Sequence, residues 1–396
     1  MKVNLTSLGF LLALIAPAIA IQSPVKAAEP RPPLAELVAD VSKSLMKEND
    51  IPGLAVGIIT PEGRYAFTFG VASKATQKPM TTATLFEIGS VSKTFTATLA
   101  AYAEVKGKFA MTDRVTSLLP ELKGSALDDV SLLNLATHTT GGMPLQFPDS
   151  VTNGAQMMNY YRTWKPTAKP GSSRTYANPS IGLLGLVTAK AMQGDFTHLM
   201  ADTLYPAFRL KHTYLDVPQA EQASYAQGYT KQGAPIRMTP GVLDKEAYGV
   251  RTTITDLTHY VEANMGRVKL EADWAKAIAR THGGYYRLGA MTQTWVWEQY
   301  DYPVALRDLL AGNSAEVAYK PNAVTEISPP GAPRRDVWIN KTGSTNGFGA
   351  YVAFVPEKEL GIVILANKNY PIAARVIAAH RILTTLAGNP RSDDGP

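Results

Sequence analysis

The sequence predicts an α/β (α+β) protein: a five-stranded antiparallel sheet flanked by its terminal helices, with a mostly helical domain inserted between the two halves of the sheet. Three observations predict it. Near the N-terminus two β-like runs, 54–60 and 64–69, are separated by the turn Pro61, Glu62, Gly63. Near the C-terminus three more, 336–341, 350–355 and 361–365, are joined by short Gly or Glu-Lys turns, as in an antiparallel meander. Between them, 95–285 reads mostly as helix, with segments at 95–105, 132–137, 180–192, 197–204, 254–265 and 274–281.

Taken in order, the chain starts with Lys2, an apolar run over 8–15, the breaker Pro17 and small residues at 18–20, the layout of a secretory signal peptide over 1–27. Cleavage after Ala20 and cleavage after Ala27 are both open. The run is shorter than the roughly 20 apolar residues that span a bilayer, so no membrane anchor is expected. After a Pro-containing linker, 34–47 repeats apolar side chains at Leu34, Leu37, Val38, Val41 and Leu45, an amphipathic helix suited to cover a sheet. A last helix, 373–386, closes the chain. The expected division is a sheet domain of 31–85 with 325–390 and a helical domain of 86–324. The Pro- and Gly-rich connections at 140–149 and 165–173 are long enough to suggest function, and 216–243 and 287–323 are expected to set tolerance for substrate side chains.

Composition narrows the classes. With 396 residues, 45% hydrophobic and 18% charged, the chain can bury a large core and has no mark of disorder. The net charge is +6, and cutting after Ala27 removes Lys2 and Lys26 to leave +4. Lys106, Lys108, Lys165, Lys169, Arg334 and Arg335 are scattered rather than clustered, which gives nucleic-acid binding no support. There is no cysteine, hence no disulfide, thiolate nucleophile or cysteine-ligated metal. His138, His198, His212, His259, His282 and His380 show no HxH or HExxH spacing and read as surface or capping residues, so no metal is expected. No GxSxG surrounds Ser90, which argues against an α/β-hydrolase triad.

The chemistry is carried by three short elements. The pattern SxxK occurs at Ser23–Lys26, Ser44–Lys47 and Ser90–Lys93, and only the third has a strand, a turn and a helix start around it. There the i, i+3 spacing puts Lys93 one turn along on the face of Ser90, and an amine beside an alcohol can make a weak nucleophile competent. In Tyr176-Ala177-Asn178-Pro179, Asn178 also reads as a plain helix N-cap with Pro at N1, while Tyr176 is free to point a phenol into a cleft. A tyrosine near its ordinary pKa of about 10 is too weak a base, and neighbouring ammonium groups would lower it. Lys341, Thr342 and Gly343 end a strand, with Lys341 and Gly343 on one face. The lysine offers a fixed charge for a carboxylate or developing anion, and the glycine leaves room for a substrate along the strand edge.

SxxK, YxN and KTG, in that order and each at the secondary-structure position its role needs, resemble the serine penicillin-recognising enzymes. The tyrosine of the middle element is similar to that of class C (AmpC-type) serine β-lactamases. The resemblance covers nearly the whole mature chain: IPGLAVG from Ile51, LFEIGSVSKTFTATL from Leu85, LATHTTGGMPLQFPD from Leu135, YANPSIGLLG from Tyr176, EAYGV from Glu246 and NKTGSTNGFGAYVAFVPEKELGIVILANKNYP from Asn340.

The resemblance implies a β-lactamase/transpeptidase-like fold and a periplasmic monomer without cofactor. Its activity would be hydrolysis of the β-lactam amide of cephalosporins and penicillins through a serine acyl-enzyme, conferring resistance. It makes Ser90 the acylated nucleophile and Lys93 a proton acceptor or a charge that tunes Tyr176. Tyr176 becomes the base for hydrolysis and the acid toward the leaving nitrogen, and the Ser90 and Ser344 N–H groups form the oxyanion hole. Gln146 and Asn178 would bind the substrate's side-chain amide, with Asn178 also holding Lys93. Lys341, Thr342, Gly343, Ser344 and Asn369 would flank the carboxylate side, and Tyr248 would line the cleft. Ile372 departs from the asparagine that some members carry there, though Arg375 still follows. The rivals are a D,D-peptidase or an esterase on the same fold, told apart by deacylation rate, and a non-catalytic penicillin sensor. The intact KTG argues against an esterase, and a sensor module usually belongs to a longer chain with a membrane span.

Overall fold

In the computed structural model the described residues are 32–388 together with Met1, so the expected signal peptide and the SxxK at Ser23 lie outside them. Gly53–Thr60 (β1) and Gly63–Ser73 (β2) form the hairpin that Pro61-Glu62-Gly63 predicts, in register from Gly53 opposite Gly70 to Thr60 opposite Gly63. Lys78–Pro79 (β3) pairs on the outside of β2. The chain later returns as Gly284–Leu288 (β4), Met291–Gln293 (β5), Glu298–Asp301 (β6) and Thr325–Gly331 (β7). It then makes the expected meander of Val337–Ser344 (β8), Gly349–Val355 (β9) and Leu360–Ala366 (β10).

One antiparallel sheet in the order β7-β4-β5-β6-β8-β9-β10-β1-β2-β3 results. It has ten strands rather than five, with the five expected ones consecutive within it. The chain re-enters the sheet at Gly284, not at 325. Strands β4 to β6 escaped the sequence reading because they are at most five residues long and bury polar side chains, Gln293, Glu298 and Gln299, so no apolar alternation marks them. The backbone ladder specifies them instead.

The central strands alternate faces. Leu54, Val56, Ile58, Ile362 and Ile364 pack with Val38, Val41, Val376 and Ile382 of the terminal helices Pro32–Asn49 (α1) and Ile372–Leu386, which share that face as expected. Ala55, Ile59, Val363, Leu365, Val352 and Phe354 face the other way, into the core of the helical part. Each of the Val, Leu, Ile and Phe side chains among them, taken fully from water, contributes about 1.5–3 kcal/mol, which fixes the register against a one-residue slip.

The helical part is organised on Ser92–Val105 (α2), whose residues from Ser92 to Ala101 are all buried. Apolar and small on every side, it packs against Asn178–Ala191 (α3) and Ala272–Thr281. Two of its buried hydroxyls bond back along the chain, Thr94 to the Val91 carbonyl and Thr98 to that of Thr94, both at 2.8 Å. Two bond across to the segment after residue 245: Thr96 donates to the Glu246 carbonyl at 2.6 Å and Ser92 Oγ accepts from the Val250 N–H at 3.0 Å. A helix held this tightly is a rigid mount for what stands at its N-terminus.

Candidate active site

That N-terminus is the single turn Gly89–Val91, which runs directly into α2. Gly89 has φ of 50°, and a Cβ there would collide with both the backbone nitrogen and the carbonyl oxygen of Ser344. On the facing strand, a Cβ on Gly343 would run into the Ile88 carbonyl and crowd the Val91 nitrogen. The two glycines therefore let the end of β8 lie against the serine turn. The space that a Cβ would need at Gly343 is taken by that turn, and Gly343 itself also lines the cleft.

Lys93 is fully buried, and its ammonium donates to Ser90 Oγ at 2.9 Å and to the Ala247 carbonyl at 2.8 Å. The expected bond from Lys93 to Asn178 is not formed; Asn178 Oδ1 is buried without a partner. Nor is Asn178 the cap of its helix, a position taken by Ala177 with no side-chain bond. The Asn178 N–H donates to the Leu145 carbonyl at 2.9 Å, tying the YxN element to the loop that carries Gln146.

Tyr176 sits among cations. Its ring centre is 5.2 Å from Lys93 Nζ, 5.0 Å from Lys341 Nζ and 5.4 Å from Arg174 Cζ. Its hydroxyl, shut off from solvent, faces Ser90 without closing a hydrogen bond of ordinary geometry. Burial pushes the phenol up, but Lys341 and then Lys93 outweigh it and bring it down to about 8. Burial brings the Lys93 ammonium down to about 8, with Tyr176 opposing and Lys341 reinforcing. Two groups of opposite type are thus poised to exchange one proton beside the hydroxyl of Ser90.

These residues open on a cleft of about 170 Å³ whose lining includes Ser90, Gln146, Tyr176, Asn178, Lys341, Thr342, Gly343 and Ser344. Ile372 also lines it. Two expected residues stand apart. Tyr248 follows the Ala247 carbonyl that holds Lys93, but it is not in the cleft lining. Asn369 donates Nδ2 to the Thr345 carbonyl at 2.9 Å, bracing the turn after β8 rather than facing the cavity.

Other side chains joined the site without a signal in the sequence. Arg174 is 1% exposed and donates to Gln293 Oε1 at 2.6 Å, to Glu298 Oε1 at 2.9 Å and to the Val317 carbonyl at 3.0 Å. Its partners lie more than a hundred positions away, Gln293 and Glu298 in strands that were not foreseen and Val317 in the short helix Ala315–Tyr319. His138 is buried, not superficial; its ring lies 4.3 Å from that of Tyr176, and Nδ1 accepts from the Ala177 N–H at 3.3 Å. Burial, and then the charges of Arg174, Lys93 and Lys341, hold it well below the usual imidazole range, hence neutral. His282 and His380 are buried as well. Among the described residues no group of three or more His, Asp or Glu side chains could hold a metal ion. No helix among them is long and apolar enough to cross a membrane.

The chain is similar to known proteins. The sequence profile of the family described as Beta-lactamase matches residues 38–387. A Pseudomonas fluorescens protein described as a beta-lactamase is 51% identical over 351 residues, 89% of this chain and 98% of that one. A solved structure from Burkholderia cenocepacia, described as D-alanine carboxypeptidase AmpC, is 50% identical with a TM-score of 0.85 and covers 89% of this chain and 99% of its own. A solved class C beta-lactamase in complex with cefoxitin is 45% identical with a TM-score of 0.87 over 89% of this chain and 99% of its own.

Proposed function

The chain belongs to the beta-lactamase family, and from that premise we propose how its cleft performs acyl transfer. It is a class C serine β-lactamase of cephalosporinase type, hydrolysing the β-lactam amide through a serine acyl-enzyme. Ser90 Oγ attacks the lactam carbonyl carbon as its proton passes to the Lys93–Tyr176 pair. The carbonyl oxygen, now negative, is received by the Ser90 and Ser344 N–H groups. The C–N bond breaks as Tyr176 protonates the leaving nitrogen, which leaves an ester on Ser90. Water, deprotonated by Tyr176, then attacks the ester and Ser90 recovers its proton. Lys341 and Thr342 receive the substrate carboxylate, and Gln146 and Asn178 its side-chain amide.

The observation that carries this reading is the 2.9 Å hydrogen bond from a buried Lys93 to Ser90, beneath a tyrosine flanked by two ammonium groups. Replacing Ser90→Ala tests it. With a chromogenic cephalosporin and mass detection of adducts, the variant is expected to keep its fold and lose both hydrolysis and covalent labelling. Turnover at the unsubstituted rate would refute the assignment.

A second reading, D-alanine carboxypeptidase activity at the same serine, is favoured by the description of the Burkholderia cenocepacia structure. Both share the acyl-enzyme and differ in how fast water reaches it. A rapid burst followed by slow turnover on a cephalosporin would mark the peptidase, and linear fast turnover the lactamase. We further propose a periplasmic monomer, exported by the leader at 1–27.

A further inference from the structure

Arg375 stands in the first turn of the C-terminal helix and is 0% exposed. No acidic side chain is among the groups that act on it. Its donors go to main chain and one hydroxyl: Nη1 to the Gly343 carbonyl at 2.6 Å, Ser344 Oγ at 2.9 Å and the Ala350 carbonyl at 3.3 Å, and Nη2 to the Tyr370 carbonyl at 2.6 Å. The guanidinium also lies 4.6 Å from the centre of the Tyr370 ring, and Nε has no partner. A buried cation without a carboxylate is destabilising unless something else uses it.

The Gly343 carbonyl and the Ser344 N–H are the two ends of one planar peptide group, pointing in opposite directions. The Ser344 nitrogen and carbonyl oxygen both face Gly89 at the serine turn. The Gly343 carbonyl, at the opposite end of that peptide from the Ser344 N–H, is the one that accepts from Arg375. A charge-assisted hydrogen bond on a carbonyl draws electron density from the amide and makes its N–H a stronger donor. It also fixes the plane in which that N–H points.

We propose that Arg375 is a positioning residue of the oxyanion site, acting through the Gly343–Ser344 peptide: its guanidinium clamps and polarises that group from behind. The inference rests on reading the Ser344 N–H as an oxyanion donor. It differs from direct recognition of a substrate carboxylate, for which the side chain would have to leave its enclosure.

The test uses full-length enzyme with Arg375→Gln and Arg375→Lys, acylated at Ser90 by a slowly hydrolysed β-lactam. The ester carbonyl stretch is read by difference infrared spectroscopy, with deacylation rate and melting temperature measured alongside. Weaker hydrogen bonding to the ester oxygen moves the stretch to higher wavenumber. Arg375→Gln is expected to move it so and to slow deacylation about 3- to 10-fold, less than the ~10²-fold loss on removing a donor outright. Arg375→Lys keeps the charge with a shorter fork and is expected to shift it less, in the same direction. An unmoved carbonyl stretch in both variants overturns the proposal, whatever the melting temperatures. So does a rise in KM confined to substrates bearing a carboxylate, with the stretch unchanged. If the unsubstituted enzyme forms no Ser90 adduct, the reading of the site itself fails, and the inference with it.

Discussion

Replacing Lys341→Met tests the electrostatics of the proton pair. Lys341 Nζ is 5.0 Å from the centre of the Tyr176 ring, and its charge lowers the pKa of both Tyr176 and Lys93. At about 5 Å and an effective dielectric of about 20, a unit charge is worth about 3 kcal/mol, or about 2 pH units, and water in the open cleft reduces this to about 1–2. The active form has lost one proton from the Lys93–Tyr176 pair, which titrates as a unit. Without Lys341 both members hold their protons to higher pH, so the acid limb of kcat/KM moves upward. With that limb near 8, about a tenth of the enzyme is competent at pH 7, and in the variant about 0.1–1%. The assay is kcat/KM between pH 6 and 10 on a substrate whose carboxylate is esterified, which removes any direct contact with Lys341. The expected result is a fall of about 10- to 100-fold at pH 7, recovered as pH rises. An unmoved limb would refute the reasoning: with no fall at all Lys341 would be left a carboxylate ligand only, and with a uniform fall it would serve the reaction in some way other than by tuning the pair.

Two further outcomes follow from packing. Arg174→Met leaves Glu298 buried and unpaired, so chemical denaturation should show a loss of about 3–5 kcal/mol; the double variant with Glu298→Met should lose less than the sum of the singles. Gly89→Ala forces a Cβ into the Ser344 backbone at a left-handed position. Acylation should slow by about 10²-fold, since displacing an oxyanion donor by about 1 Å suffices for that, while the far-ultraviolet circular dichroism of the fold persists.

The legible parts of the fold were those written in side-chain pattern. The central strands carry period-two apolar runs, and α1 repeats Leu34, Val38, Val41 and Leu45 on one stripe, so their positions fell within a few residues of the observed ones. Strands β4 to β6 bury Gln293, Glu298 and Gln299, whose justification is a network with Arg174 and other distant groups, invisible to any local window. The site behaved likewise. Ser90 with Lys93, Tyr176 with Asn178, and Lys341 with Gly343 are local spacings; Ser90, Tyr176, Asn178, Lys341 and Gly343 line one cleft, and Lys93 is buried beneath it, donating to Ser90. Arg174, His138 and Arg375 act through contacts made only in three dimensions, with Tyr176 and with a peptide carbonyl. For Asn369 the neighbourhood in the chain suggested a substrate contact, and what the structure shows is its amide nitrogen donating to the Thr345 carbonyl.

The charges around the cleft are unequal. Lys93, Lys341, Arg174 and Arg375 are each at most 2% exposed, and the buried carboxylate that pairs with any of them is Glu298, on Arg174. Three buried cations therefore lie in or behind the site without an acidic partner among the described residues. In a folded protein at rest such an excess is destabilising. It becomes favourable only when an anion arrives: the phenolate of Tyr176, the carboxylate of a substrate, or the oxyanion that forms as Ser90 attacks. This accounts for the Tyr176 phenol being brought below its ordinary range although burial opposes it. It also separates the cations by the sign of their effect on stability. Arg174, being paired, supports the fold, and its loss should lower the melting temperature. Lys341, being unpaired, is retained against the fold's interest, so Lys341→Met should melt at the same temperature or higher while turning over more slowly at pH 7. A lower melting temperature for that variant would mean that the resting site already contains the anion this charge count lacks.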